Sequence, residues 1–357
     1  MVMQGRTALQ DRAHVESASD TPATSSPGPL LTIEGLTVDF NGVRVLRGID
    51  FTLSRGDAVG IVGESGSGKS VTWLAALGLL PRTAKVSGSV RLDGEELLGL
   101  GGSRLDRVRG GRVAMIFQDP SSALNPVIRI GRQIGEVLAR HQGTSGPSIR
   151  AETKRLFELV GLPDAARRFD AYPHELSGGQ NQRVMIAMAL AGKPDVLIAD
   201  EPTTALDATI QAQILDLLTS IRTETGMALV LISHDLGVVS ETCDRIMVMY
   251  AGGVVETAPS DAIFANPQHP YTQGLLAALP PFEGALQRLV PIEGQVPEPT
   301  NMPPGCAFAP RCPKRLAACE TAVPPLKAIE AGHLSACMAG VGREAARPLN
   351  FKRSIPA

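Results

Sequence analysis

The chain has 357 residues, of which 43% are hydrophobic and 20% charged, with a formal net charge of −2. That length and balance support one large domain plus a smaller one, or two modest ones. The near-neutral charge gives no global pull toward nucleic acid or anionic lipid, so no nucleic-acid partner is expected, and no window reaches the ~18–20 apolar residues of a membrane span.

Residues 1–29 are rich in Ser, Thr, Ala and Pro and lack apolar periodicity. They also lack the apolar centre of a secretory signal, which predicts a disordered, cytosolic tail. From Leu30 the text alternates strand-like and helix-like stretches. LLTIEGLTVDF (30–40) and VRVLRGIDFTL (43–53) alternate apolar and polar residues as half-solvated strands do. DAVGIVG (57–63) is a near-continuous apolar run, the pattern of a strand buried on both faces, and a helix is expected from Lys69 to Leu80. Strand character returns at 86–94 and 111–118, while residues 128–190 read as a helical subdomain. VLIAD (196–200) and ALVLISH (228–234) are again buried-strand runs around a helix near 208–222, and residues 244–258 read as a hairpin turning at Gly252-Gly253. Beyond 280 proline becomes dense, which predicts a domain boundary there and a small, loop-rich appendage over 281–357.

Gly63-Glu64-Ser65-Gly66-Ser67-Gly68-Lys69-Ser70 follows the buried run and opens the helix, fitting the pattern GxxxxGK[ST]. Glycines let backbone N–H groups converge on a polyphosphate, and the helix aims its positive end at it. Lys69 can reach the β- and γ-phosphates, and the Ser70 hydroxyl can ligate Mg²⁺. A Gly/Ser-rich surface turn would not predict the strand before and the helix after. Asp200 ends the second buried strand, where a carboxylate can hold the Mg²⁺ shell, and Glu201 can face the attacking water as general base.

Leu176-Ser177-Gly178-Gly179-Gln180 then matches the signature of ABC-type ATPases, in the expected order between phosphate loop and acidic strand. Over residues ~30–280 the chain resembles that family, which implies an α/β fold: a RecA-like P-loop core with an antiparallel β subdomain and a helical subdomain. The resemblance implies a head-to-tail dimer, in which Ser177, Gly178, Gly179 and Gln180 close over ATP held by the opposite subunit. Phe40 resembles the aromatic that stacks on adenine, with Val45 flanking it; a strand-core Phe is the alternative. Gln118 resembles the glutamine that touches Mg²⁺ and water, Asp207 the loop aspartate at the dimer interface, and His234 the histidine that contacts the γ-phosphate and positions Glu201. One cassette per chain and no heptad insertion separate it from the translation-factor and DNA-repair ATPases of the same superfamily.

The stretches 117–138, 199–215 and 266–280 resemble the ATPases of oligopeptide/dipeptide (peptide, nickel, opine) importers, and Met249-Tyr250-Ala251-Gly252 leans toward the first of their two paralogous ATPases. This implies a subunit powering solute import from the cytoplasmic face of the inner membrane. Its partners would be a paralogous ATPase, two transmembrane permease subunits and, indirectly, a solute-binding protein. Cys306, Cys312, Cys319 and Cys337 lie in proline-rich text of a chain expected to be cytosolic, where metal binding is favoured over disulfides. The same ending resembles importer ATPases, some of which bind a [4Fe–4S] cluster there. Four thiolates suit that cluster or zinc, and the spacing, unlike paired CxxC knuckles, favours iron–sulfur.

Overall fold

The computed structural model describes residues 28–204, 206–279 and 291–339. The expected N-terminal tail, apart from residues 28 and 29, and the stretch 280–290 lie outside the described residues.

Strands β1 (Leu31–Phe40) and β2 (Val43–Leu53) form a hairpin, β3 (Ala58–Val62) is buried throughout, and β4 (Ala84–Leu92) and β5 (Glu95–Glu96) return beside β1. β6 (Val113–Ile116), β7 (Val196–Asp200), β8 (Ala228–Ile232) and β9 (Arg245–Tyr250) join β3 in a parallel array. β10 (Gly253–Pro259), β11 (Lys327–Glu330) and β12 (His333–Ser335) extend it antiparallel, giving the order β11-β12-β10-β9-β3-β8-β7-β6 beside a separate antiparallel sheet β2-β1-β4-β5.

The two-residue period of the strands divides the core into two. Val59, Ile61, Val196, Ile198, Val230 and Ile232 face the small sheet and Trp73. Ala58, Val62, Leu197, Leu229 and Leu231 face the helices Ile130–Gln142, Pro147–Leu159 and Gly178–Leu190. A strand wedged between two such layers must be apolar on both faces, which is why AVGIV, VLIAD and ALVLI read as unbroken runs. Arg55 and Arg112 each bridge Asp93 and Asp195, tying the small sheet to the core. These side chains are 29–51% exposed, so each pair contributes about 0–1 kcal/mol.

Two expectations change. The helix from Lys69 ends at Ala76 rather than Leu80, and Arg109 takes the carbonyls beyond it, donating to Leu77 O at 2.7 Å and Gly78 O at 2.6 Å. Over the described residues 291–339 the C-terminal segment is loop-rich, as expected, but not set apart: β11 and β12 continue the larger sheet, and Phe308 packs into the helix-facing core.

Candidate functional site

The loop 63–70 runs from the end of β3 into the helix Lys69–Ala76. Ser65 and Gly66 are exposed at its crest, while Ser67, Gly68 and Lys69 are buried. Gly68 caps the helix at φ 99, a left-handed conformation that glycine adopts without a Cβ penalty. The Lys69 ammonium donates to Gly63 O at 2.7 Å, Glu64 O at 3.0 Å and Ser67 Oγ at 3.4 Å, so the loop wraps its own cation. Burial pushes the Lys69 ammonium below its usual range, against the pull of Glu201, Asp200 and Glu64.

Asp200 ends β7 and is 7% exposed; burial raises its carboxyl above the usual range, although a hydrogen bond with Ser70 opposes this. Lysine, hydroxyl and carboxylate thus converge at the ends of two parallel strands, β3 and β7, that flank β8, the chemistry that a nucleoside triphosphate with a divalent cation requires. Phe40 is half-buried at the β1–β2 turn, paired with Val43 and Ala84, and packed on the core that faces the small sheet. Val45 lies near the loop, because its carbonyl abuts Gly252, whose own N–H donates to Ser67 O at 3.0 Å.

Glu201 follows Asp200 at φ 48, with its amide held by Ile232 O at 2.9 Å. One carboxylate oxygen, Oε2, accepts from Gln118 Nε2 at 2.9 Å and from Thr204 Oγ1 at 2.9 Å, and lies 3.4 Å from His234 Nδ1. Gln118, at the end of β6, and His234, just past β8, therefore reach the same atom from strands on either side of β7.

Ser177 caps the helix Gly178–Leu190: its Oγ accepts from Gln180 N–H at 3.3 Å while Gln180 Oε1 accepts from Ser177 N–H at 3.1 Å. Ser177, Gly178, Gly179 and Gln180 line an open cleft of about 580 Å³ shared with Leu206 and Asp207, and no residue of the phosphate loop lines it. Asp207 caps the next helix, accepting from Ile210 N–H at 3.0 Å.

Cys306, Cys312, Cys319 and Cys337 line one cavity of about 10 Å³ between Phe308 and His269. Burial raises the Cys306 and Cys312 thiols above their usual range, and the neighbouring thiols add to the effect. As placed, no group of three or more His, Cys, Asp or Glu side chains among the described residues is arranged to hold a metal ion.

Sequence reasoning missed three contacts. Thr204 touches Glu201, Tyr271 Oη accepts from Glu64 N–H at 2.8 Å, and Arg311 Nη1 donates to both Glu64 carboxylate oxygens, at 3.0 and 3.1 Å. Thr204 was open to discovery three residues past Glu201. The other two come from distant text with no spacing to reveal them.

A phosphate loop on a helix N-terminus beside a strand-end carboxylate pair defines a P-loop ATPase of the α/β class. A family model described as ABC transporter matches residues 46–204, and one described as oligopeptide/dipeptide transporter, C-terminal region, matches residues 255–319. A putative peptide import ATP-binding protein of Brucella abortus (strain 2308) is 52% identical over 314 residues, covering 87% of this chain and 94% of that protein. The oligopeptide transport ATP-binding protein OppD of Salmonella typhimurium (strain LT2) is 45% identical over 328 residues, covering 90% and 97%. Among solved structures, the ATP-binding cassette MJ0796, dimeric in a post-hydrolysis state bound to ADP and Pi, matches at 28% identity with a TM-score of 0.58, covering 64% of this chain and 98% of that one. The chain belongs to the ABC transporter ATPases, in their oligopeptide/dipeptide branch.

Proposed function

We propose that this chain is the ATP-hydrolysing subunit of a peptide importer. It works as a head-to-tail pair with a paralogous ATPase, against two membrane-spanning permease subunits supplied by a solute-binding protein. The names of the relatives support the peptide, and the match over residues 255–319 supports the branch. No helix among the described residues is long and apolar enough to cross a membrane, consistent with peripheral attachment through the permease at the cytoplasmic face.

The observation that carries the catalytic reading is the convergence of Gln118, Thr204 and His234 on Glu201 Oε2. In this reading the loop Gly63–Ser70 cradles the phosphates and Lys69 turns its ammonium from the loop carbonyls to them. Ser70, Asp200 and Gln118 hold Mg²⁺, which supplies charge neutralisation at the phosphates. Glu201 orients the attacking water and accepts its proton, and His234 holds that carboxylate and reaches the γ-phosphate. Phe40 and Val45 flank the base. The open cleft at Ser177, Gly178, Gly179 and Gln180 receives the partner's ATP, with Asp207 at the seam, because one chain leaves that cleft and its own phosphate loop apart.

Glu201→Gln tests this. The variant, mixed with the paralogous subunit, is expected to bind ATP normally, lose turnover and accumulate as an ATP-bound dimer by size-exclusion chromatography. Parental hydrolysis by Glu201→Gln defeats the base assignment.

The four cysteines are read as a metal centre because all of them line one cavity and a four-sulfur donor set suits zinc or iron–sulfur. The spacing of the four cysteines favours [4Fe–4S], with zinc as the alternative. Anaerobic purification followed by metal analysis and visible absorption separates the two, and a metal-free protein with neither signature defeats both.

A further inference from the structure

The phosphate loop is gripped from the far end of the chain. Arg311 lies 247 residues beyond Glu64, yet its side chain is only 5% exposed and its Nη1 lies 3.0 and 3.1 Å from the two Glu64 carboxylate oxygens. Every nitrogen of the guanidinium is engaged. Nε donates to Glu293 O at 2.9 Å, Nη2 to Ile292 O at 3.2 Å, and Nη1 also to Tyr250 Oη at 3.3 Å. Its carbon stands 5.8 Å from the Tyr250 ring centre and 5.9 Å from that of Phe308. A second fixture holds the same loop residue from behind, since Glu64 N–H donates to Tyr271 Oη at 2.8 Å.

A buried, fully bonded cation of this kind is fixed in place, so the carboxylate must come to it. The chemistry of the loop explains why that matters. Glu64 stands between Gly63 and the turn that is to surround a polyphosphate, and its carbonyl already binds the Lys69 ammonium at 3.0 Å. An uncompensated carboxylate here would oppose a polyanion and compete for Lys69.

We propose that Arg311 is a positioning residue for nucleotide binding: it neutralises and pins Glu64, so that the phosphate loop is competent only when the cysteine-bearing C-terminal segment is docked. Arg311 closes the short turn Ala309–Arg311 that leads directly into Cys312, so the tether begins one residue from the thiol cavity. The inference rests on the reading that the loop 63–70 holds ATP.

The test is equilibrium binding of Mg-ATP, followed with a fluorescent ATP analogue, on full-length variants whose folding is checked by circular dichroism and thermal melting. Lys69→Ala controls the underlying reading: if it binds like the parent, the loop is not the nucleotide site and that reading fails first. With that control lost as expected, Arg311→Met should raise Kd about tenfold, corresponding to about 1.4 kcal/mol. Adding Glu64→Gln to Arg311→Met should recover most of the loss, because the offending charge is gone. A purely structural Arg311 would give no such rescue. Arg311→Lys keeps the charge but not the fork; it should weaken binding about threefold and serves in place of Arg311→Met if that variant does not fold, with the same rescue expected from Glu64→Gln. Parental affinity in a folded Arg311→Met, or a double variant as weak as the single one, overturns the proposal.

Discussion

Glu201 holds φ 48, a left-handed backbone that a residue with a side chain adopts at a cost of about 1–3 kcal/mol. Its N–H hydrogen bond to Ile232 O and the contacts at Oε2 fix this conformation. Gly63 is constrained by space instead: at φ 153, a β-carbon there would meet Met249 O at 2.2 Å and Ser67 Oγ at 2.9 Å. Since one of those atoms is backbone, Gly63→Ala must displace either the loop or the end of β9. The variant is expected to melt lower and to bind ATP at least about tenfold more weakly, as RT ln K requires for a loss of 1.4 kcal/mol or more; unchanged melting and affinity would show slack in the loop. Lys69, Ser70, Asp200 and Glu201 were legible in the sequence because each sits at a strand end or helix start that local periodicity marks. Tyr271 and Arg311 were not, because a contact spanning 207 or 247 residues leaves no local pattern.

At the level of elements, the function proposed above puts stability and turnover at one residue of the signature helix. Ser177 and Gln180 exchange hydrogen bonds in a capping box, which satisfies amides that the first turn would otherwise leave open. Ser177→Ala should therefore cost about 1 kcal/mol of stability, and Ser177→Gly only a few tenths, by thermal or urea denaturation. Both are expected to lose ATP turnover in the paired assembly by more than tenfold, since the hydroxyl facing the open cleft is gone. Turnover that tracked the stability loss, with glycine nearly active, would reduce Ser177 to a cap. The buried strands were readable as apolar runs, and the hairpin β1–β2 as an alternation. β11 could not be read, because KAIE is exposed along its whole length and pairing with β12 alone makes it a strand.

For the molecule as a whole, the C-terminal segment is seated by aromatic packing. Phe308 is 2% exposed and meets Tyr250 edge-on at 5.3 Å, Tyr271 at 5.4 Å and His269 at 5.8 Å. The buried Glu256 adds a polar fixture, accepting from His269 N–H at 2.9 Å and pairing with His333 Nε2 at 2.8 Å, which binds β10, the helix start at Pro270 and β12 together. Phe308→Ala should destabilise the protein by about 3–5 kcal/mol, seen as a lower melting midpoint or an earlier transition of the C-terminal segment alone. A loss below about 1 kcal/mol would mean that the segment is held mainly by its strand pairing. The sequence showed the change in composition near 280 but not that the later text returns to the main sheet, since proline density reports local conformation rather than destination.

The ion pair between Glu64 and Arg311 also has a dimension in time. A ribosome moving at about 5–20 residues/s releases the arginine roughly 12–50 s after the glutamate, given their separation of 247 positions. During that interval Glu64 stands without its cation, so on the proposal made above a firm hold on nucleotide marks a chain whose synthesis has passed residue 311.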